Sequence, residues 1–324
     1  MKNSLTRSHL SKSERQIRKD KTISFIILFV VCLFWVLPFV YLFGTSLKDE
    51  FSLMSGKPTI LPEIGHWTFE HYLGFLNTSN HGRLDNLPIW MINSFVVTFT
   101  TVILTLIVDT LAAYALVFFK FRGRNIILAV LIVFMTIPGV IGTTPLYSMF
   151  VSIGKSTGLS NVVLFSLKSM SNGIESVDKI YLYPYLWLIC PGVSGVFNLL
   201  LMKNFFDSIP KDIIESAKSD GASDFLVFRR IVLPLARSTI LLIVLFTFVG
   251  SWNDLLWPQL ITGGKTLNMT INVALVAYTG GVNSWSLKAA QSAAAMFALM
   301  PILIVFIIVQ NKMIDGLANT GVKR

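Results

Sequence analysis

Apolar residues in this chain come in long blocks rather than in alternation. Each of six blocks approaches or exceeds the ~20 residues that carry a helix across a bilayer core. They cover 22–46, 90–118, 126–150, 182–203, 235–258 and 291–311, and the pattern predicts one transmembrane helix in each. Pro38, Pro138, Pro145, Pro191 and Pro301 fall inside them. In a membrane helix a proline makes a kink whose freed backbone groups neighbouring helices can satisfy. The first block is too long for a signal-peptide core and has no small-residue cleavage site behind it, so it reads as a retained span. No polar stretch between the blocks reaches the length of a soluble domain. The organisation is therefore a basic segment over 1–21, a membrane domain over 22–311 with a large loop at 203–234, and a tail over 312–324.

Composition agrees. Of 324 residues, 53% are apolar and 14% charged, with a mean hydropathy of +0.67. Soluble domains carry about 25% charged residues. A disordered chain, a disulfide-knit secreted module and an ordinary cytosolic enzyme are excluded. The net charge of +10 would suit nucleic acid, but the placement of the cations argues for membrane topology. Nineteen of the 27 Lys and Arg lie in 1–21, 120–124, 203–237 and the tail. That bias puts both termini in the cytoplasm. Cys32 and Cys190 lie far apart in apolar blocks and read as small buried hydrophobes.

Catalytic chemistry is missing from the sequence. His9, His66, His71 and His81 all fall outside the blocks, and no third ligand accompanies His66 and His71. Gly263-Gly264-Lys265-Thr266 lacks the first glycine of a phosphate loop. No Gly-x-Ser-x-Gly elbow occurs. The expectation is a protein with no catalytic residues, no metal and no cofactor of its own. Whatever energises it resides on another chain, or it moves solute passively.

The loop at 203–234 is the most patterned polar segment. Ser208 suits a cap and Pro210 a first helical turn. Ile213, Ile214 and Ala217 form an apolar stripe, and Gly221 ends the helix. A second helix starts near Asp224 with Phe225, Phe228 and Ile231 on one face, and Pro234 marks return to the membrane. Two short amphipathic helices thus meet at a glycine on the cytoplasmic side. An exposed stripe there fits a protein partner; a loop packing only on its own bundle fits too.

The run Glu215-Ser216-Ala217, three residues, Gly221, nine residues, Ile231-x-Leu233-Pro234 resembles the "EAA" loop of ABC importer permeases, with Ser216 where Ala is usual. Asn93-Ser94, Ala112-Ala113-Tyr114-Ala115, Phe121-Arg122-Gly123, Ser251-Trp252-Asn253-Asp254, Leu256-Trp257-Pro258 and the tail from Asp315-Gly316-Leu317 to Gly321-Val322-Lys323 are similar to its carbohydrate-uptake branch. The likeness is to the second permease of the pair, of the maltose-permease kind, and covers roughly 22–324. About 15–20 residues around Leu167–Tyr181 look inserted.

This resemblance implies an all-α, six-span, type I ABC importer permease in a bacterial inner membrane. It implies that Glu215, Ser216, Ala217, Asp220, Gly221, Ala222, Phe225 and Pro234 engage a partner ATPase, with Glu215 making a polar contact and Gly221 the turn. Two copies of that subunit would hold ATP and Mg, a second related permease would complete the path, and an extracytoplasmic solute-binding protein would dock on the outer loops. The loop at 261–289 would reach towards it through Asn272, Tyr278 and Trp285. Lipid, not nucleic acid, is the surrounding partner.

Within the spans, Asn93, Asp109, Asn198, Trp252, Asn253, Asp254 and Trp257 combine polar groups with aromatic faces, as sugar recognition requires. Charge at span depth is costly and marks Asp109 as a site candidate. Interface belts for the tryptophans and interhelical hydrogen bonds for the asparagines are the other reading. An oligosaccharide of malto- or alginate type is the expected cargo, and Lys168 and Lys179 would suit an acidic one. A glycerol phosphodiester importer and an ion-coupled carrier are the alternatives. The carrier needs intramembrane carboxylates and paired halves, of which only Asp109 is visible.

Overall fold

The computed structural model describes residues 12–54, 59–74, 86–171, 174–263, 266–279 and 285–321. In chain order the helices are α1 (Lys12–Ser46), α2 (Glu50–Met54), α3 (Glu70–Gly74), α4 (Leu87–Phe118), α5 (Arg124–Thr136) and α6 (Gly139–Ser156). A hairpin follows, β1 (Val163–Ser171) and β2 (Ile174–Tyr181). Then come α7 (Leu182–Ile189), α8 (Val196–Asp207), α9 (Lys211–Ser219), α10 (Asp224–Val227), α11 (Leu233–Leu235), α12 (Arg237–Asn253), α13 (Leu256–Thr262), α14 (Ile271–Thr279) and α15 (Trp285–Gly321).

Three stretches are long and apolar enough to cross a membrane as single helices: Lys19–Ser46, Leu87–Phe118 and Lys288–Gln310. Three more are bent pairs. Arg124–Thr136 with Gly139–Ser156 bends by 99°, Leu182–Gly192 with Val196–Asp207 by 45°, and Asp224–Leu235 with Arg237–Asn253 by 76°. Counting each pair as one broken span gives the six expected, one at each apolar block.

The breaks have local causes. Pro138 forces Ile137 out of the helical region, to φ −80° and ψ 123°. Pro191 sits in the single 3-10 turn Cys190–Gly192 between α7 and α8. Ala236, two residues after Pro234, separates α11 from α12 at ψ 10°. Pro38 and Pro301 lie inside unbroken helices.

The described residues divide into two units, one drawn from Met1–His71 and Asn283–Met296, the other from Tyr72–Val282 and Phe297–Arg324. In the first, the most apolar window of α1 buries nothing within this chain, leaving its surface to lipid or another subunit. Beyond α1, Lys48 pairs with Trp67 as an isolated bridge, and the Thr68 N–H donates to the Leu47 carbonyl at 2.9 Å.

In the second unit two cores form. One joins the C-terminal end of α4 to α8 and the following loop through Tyr114, Met202, Phe206, Ile214, Val227 and Phe228. The other packs Phe150, Trp187, Trp257 and Ile261, with the Phe150 and Trp187 rings stacked at 4.5 Å. Cys32 and Cys190 are exposed on the chain, not buried as small hydrophobes, because neither is part of a packed core: Cys32 lies in the apolar window of α1 that buries nothing within this chain.

The inserted segment is the element the helical pattern did not anticipate. It is an antiparallel hairpin pairing Ser171 with Ile174 and Val163 with Tyr181, with an irregularity between Val163 and Phe165.

Candidate functional site

The loop between α8 and α12 is built around one glycine. At the end of α9 the Gly221 N–H donates to the Lys218 carbonyl and the Ala222 N–H to the Ala217 carbonyl, both at 3.0 Å. This paired closure needs a left-handed residue between them, and Gly221 has φ +84°. No atom lies within 4 Å of where a Cβ on Gly221 would sit. The next helix begins at once: the Ser223 hydroxyl caps α10 by accepting from the Leu226 N–H at 3.3 Å. Lys218 spans the joint to Asp224 at 2.6 Å. The two helices are thereby joined by a short capped turn.

The two apolar stripes split rather than staying whole. Ile214 is buried against the bundle while Ile213 is exposed. Phe228 is 7% exposed and Phe225 67%. Consecutive residues of a helix point about 100° apart, so Ile213 and Ile214 of α9 do not share a face; a π-helical stretch over Phe228–Val232 follows α10. The loop thus packs on its own bundle and also presents Ile213 and Phe225 outward. Glu215, Ser216, Asp220 and Pro234 are exposed, and Ala217 and Ala222 are half-buried. The Ser216 hydroxyl donates back to the Asp212 carbonyl at 2.7 Å, so a serine fits there without a new partner.

A cavity of about 640 Å³ lies between α4, α6, the α7–α8 break and α12–α13. Asn198, Asp254 and Trp257 line it. Thr101, Thr143, Ser194, Thr247 and Ser251 add hydroxyls, and Gly139, Gly142, Gly192, Gly195 and Gly250 leave parts of the wall as bare backbone. Asn198 donates to Thr247 Oγ1 at 3.0 Å. The Trp257 indole N–H is engaged by the Trp187 carbonyl at 2.8 Å.

The other path candidates lie away from this lining. Asn93 donates to the carbonyls of Leu267 and Met269 at 2.6 and 2.9 Å and accepts from Tyr185 Oη at 2.5 Å. It fastens the segment before α14 to α4. Trp252 is buried, its indole N–H on the Ala298 carbonyl at 2.9 Å, between the Phe95 and Phe248 rings. Asn253 is exposed.

Asp109 is fully buried and accepts from Ser194 Oγ at 2.7 Å. It stands on one face of α4 with Thr105, whose hydroxyl donates to the Gly192 carbonyl at 2.8 Å. The i, i+4 spacing aims both at the broken stretch of the fourth span, where backbone groups lack helical partners. Asp109 also lies beside the Gly195 N–H at the start of α8, an end that favours negative charge.

At the start of α14, the Asn272 amide donates to the Trp252 carbonyl at 2.7 Å. The backbone of Tyr278 belongs to α14 and that of Trp285 to α15, but the side chains of both lie outside the described residues. Among the described residues no cluster of three His, Cys, Asp or Glu could hold a metal.

Residues 110–315 match the family model described as the binding-protein-dependent transport system inner membrane component. The chain is 25% identical over 307 residues to the diacetylchitobiose uptake system permease protein of Streptomyces coelicolor, covering 95% of this chain and 90% of that one. It is 27% identical over 237 residues to the arabinooligosaccharides transport system permease protein of Bacillus subtilis, covering 72% and 73%. A chain in the crystal structure of a bacterial ABC transporter involved in the import of the acidic polysaccharide alginate superposes with a TM-score of 0.71 at 22% identity, over 93% of this chain and 98% of that one. At that identity the likeness shows the fold.

Proposed function

This chain belongs to the binding-protein-dependent transport inner membrane components, a multi-pass family of ABC permeases, and from that we propose that it is one permease subunit of an ATP-driven carbohydrate importer. A partner ATPase grips the joint between α9 and α10. An extracytoplasmic binding protein delivers an oligosaccharide, and a second related permease closes the other half of the path. ATP and Mg are held on the ATPase, and this chain works without catalytic residues.

The observation that carries the reading is the geometry at Gly221. A rigid, capped joint with Ile213 and Phe225 exposed and Glu215 free at its surface is suited to act as a lever on a docked subunit. Because α9 packs on the C-terminal end of α4 through Ile214 and Tyr114, a push on the joint reaches the helices that wall the cavity. Such a bundle would alternate between two access states biased by nucleotide. The relatives that are uptake permeases for diacetylchitobiose and arabinooligosaccharides support a sugar cargo. So does a cavity walled by hydroxyls, an amide and one tryptophan.

The test is ATPase activity of the complete complex in proteoliposomes, with binding protein and a panel of oligosaccharides. Stimulation by sugar-loaded binding protein is the expected result. Solute uptake by this chain alone, with no nucleotide-hydrolysing subunit, would overturn the reading. An ion-coupled carrier would use Asp109 as its ion site, yet among the described residues no cluster of three His, Cys, Asp or Glu forms around it.

A further inference from the structure

Resting on the carbohydrate reading, we propose that this chain's half of the path admits neutral hydroxylated solutes and discriminates against acidic, uronate-type ones, with Asp254 as the discriminating residue. Among the residues that line the 640 Å³ cavity, Asp254 is the one that carries a charge. The rest of the polar wall is neutral: threonines, serines and Asn198. Those groups can exchange hydrogen bonds with sugar hydroxyls, and none of them offers a countercharge to a carboxylate.

Asp254 is also fixed by its place in the chain. It follows the last residue of α12 and precedes α13, and the backbone N–H groups of Leu255, Leu256 and Trp257 face its carboxylate. A uronate passing this wall meets the Asp254 carboxylate and no cation, and like charges beside protein repel more strongly than in bulk water.

The hairpin does not reverse this. Lys168 and Lys179 are matched within β1 and β2 by Glu175 and Asp178, so the two strands carry no net charge. The hairpin's lysines therefore give no excess of positive charge to attract an acidic chain.

The experiment uses the full complex with its partner permease and ATPase subunits, in nanodiscs without binding protein, so that the binding protein's own preference does not enter. Equilibrium dialysis compares a labelled neutral glucan hexaose with a labelled oligouronate of equal length. The wild type should bind the neutral sugar more tightly. Asp254→Asn keeps the shape and an oxygen that can accept from the same N–H groups. It should raise the oligouronate-to-neutral affinity ratio about tenfold, the scale of one unit charge acting across a partly hydrated cavity. High salt should shrink the wild-type discrimination. Thr143→Asp adds a second carboxylate to the same wall and should lower the ratio, which keeps the test decisive if Asp254→Asn fails to assemble. Oligouronate bound as tightly as the neutral sugar by the wild type, or a ratio that neither variant moves, overturns the proposal while leaving a carbohydrate permease standing. Binding of neither sugar, with import of some other solute class by the complete system, overturns the carbohydrate reading and this inference with it.

Discussion

Tyr114 Oη donates to the backbone carbonyl of Asp224 at 3.1 Å, tying the C-terminal part of the second span to the first residue of α10. Tyr114 also packs edge-on against Phe228 at 5.0 Å and lies against Phe118 at 4.9 Å. Tyr114→Phe keeps these ring contacts and removes only the hydroxyl. The loss should be about 1 kcal/mol, the usual net worth of one such hydrogen bond. If the bond transmits movement, the variant should hydrolyse ATP at a near-normal rate but import less solute per ATP. An unchanged coupling ratio would show that ring packing alone carries the motion.

Gly221 separates strain from collision. A side chain there meets nothing within 4 Å, so Gly221→Ala costs only the left-handed backbone penalty, about 1 kcal/mol. Gly221→Val adds β-branching, which tolerates positive φ less well, and should open the joint between α9 and α10. The expected outcome is graded: Gly221→Ala retains part of the coupled uptake, and Gly221→Val loses most of it. In both, thermal stability of the purified membrane domain stays close to wild type. Full uptake by Gly221→Val would sink the lever.

Much of this architecture was legible in the apolar blocks because a bilayer imposes a length on every crossing helix. The prolines were less informative. Pro138 and Pro191 sit at breaks, yet Pro38 and Pro301 lie within continuous helices, so neighbouring structure decides which proline bends a span. The hairpin carried a signal that helical reading passed over. Asn172-Gly173 stands between two strand-forming runs, the dipeptide that favours tight hairpin turns; the pair itself lies outside the described residues. At the loop, Gly221 was readable as a helix end. The outward turn of Phe225 and the inward turn of Phe228 were not, since a stripe drawn from spacing does not say which of its members the neighbouring helices cover. Asn93 and Asp109 illustrate why a polar residue in a span is ambiguous. Both were candidates for touching solute, and in the structure both bond to backbone or side chains of broken segments.

That role for Asp109 leads to a measurable difference. Ser194→Ala removes the hydroxyl that bonds its carboxyl group and leaves a buried polar group short of a partner, a loss of about 1–3 kcal/mol. Asp109→Ala removes the carboxyl group itself and frees the Ser194 hydroxyl, a milder fault. Ser194→Ala should therefore lower the melting temperature of the purified complex at least as much as Asp109→Ala, and the double variant should be no worse than Ser194→Ala alone. Additive losses in this cycle would show that the two residues act independently.

The segment after α1 gives a pH dependence of known sign. Asp49 Oδ1 accepts from the Ser52 N–H at 2.8 Å, and His66 Nδ1 lies 2.8 Å from Oδ2. Hydrogen bonds from the Ser52 hydroxyl and then His66 hold the Asp49 carboxyl down to about 2, from an ordinary 3.8. A carboxylate whose folded value is depressed stabilises the fold above its unfolded value and loses that contribution as pH falls through the folded one. The contribution is thus complete above about pH 4 and disappears towards pH 2. The Ser52 amide, bonded to Asp49, and the His66 amide, bonded to the Glu63 carbonyl at 3.0 Å, should exchange faster with solvent hydrogen across that window, after correction for intrinsic rates. In Asp49→Asn the titrating group is gone, and the acid-dependent step should vanish. Retention of the step in that variant would assign it to another group.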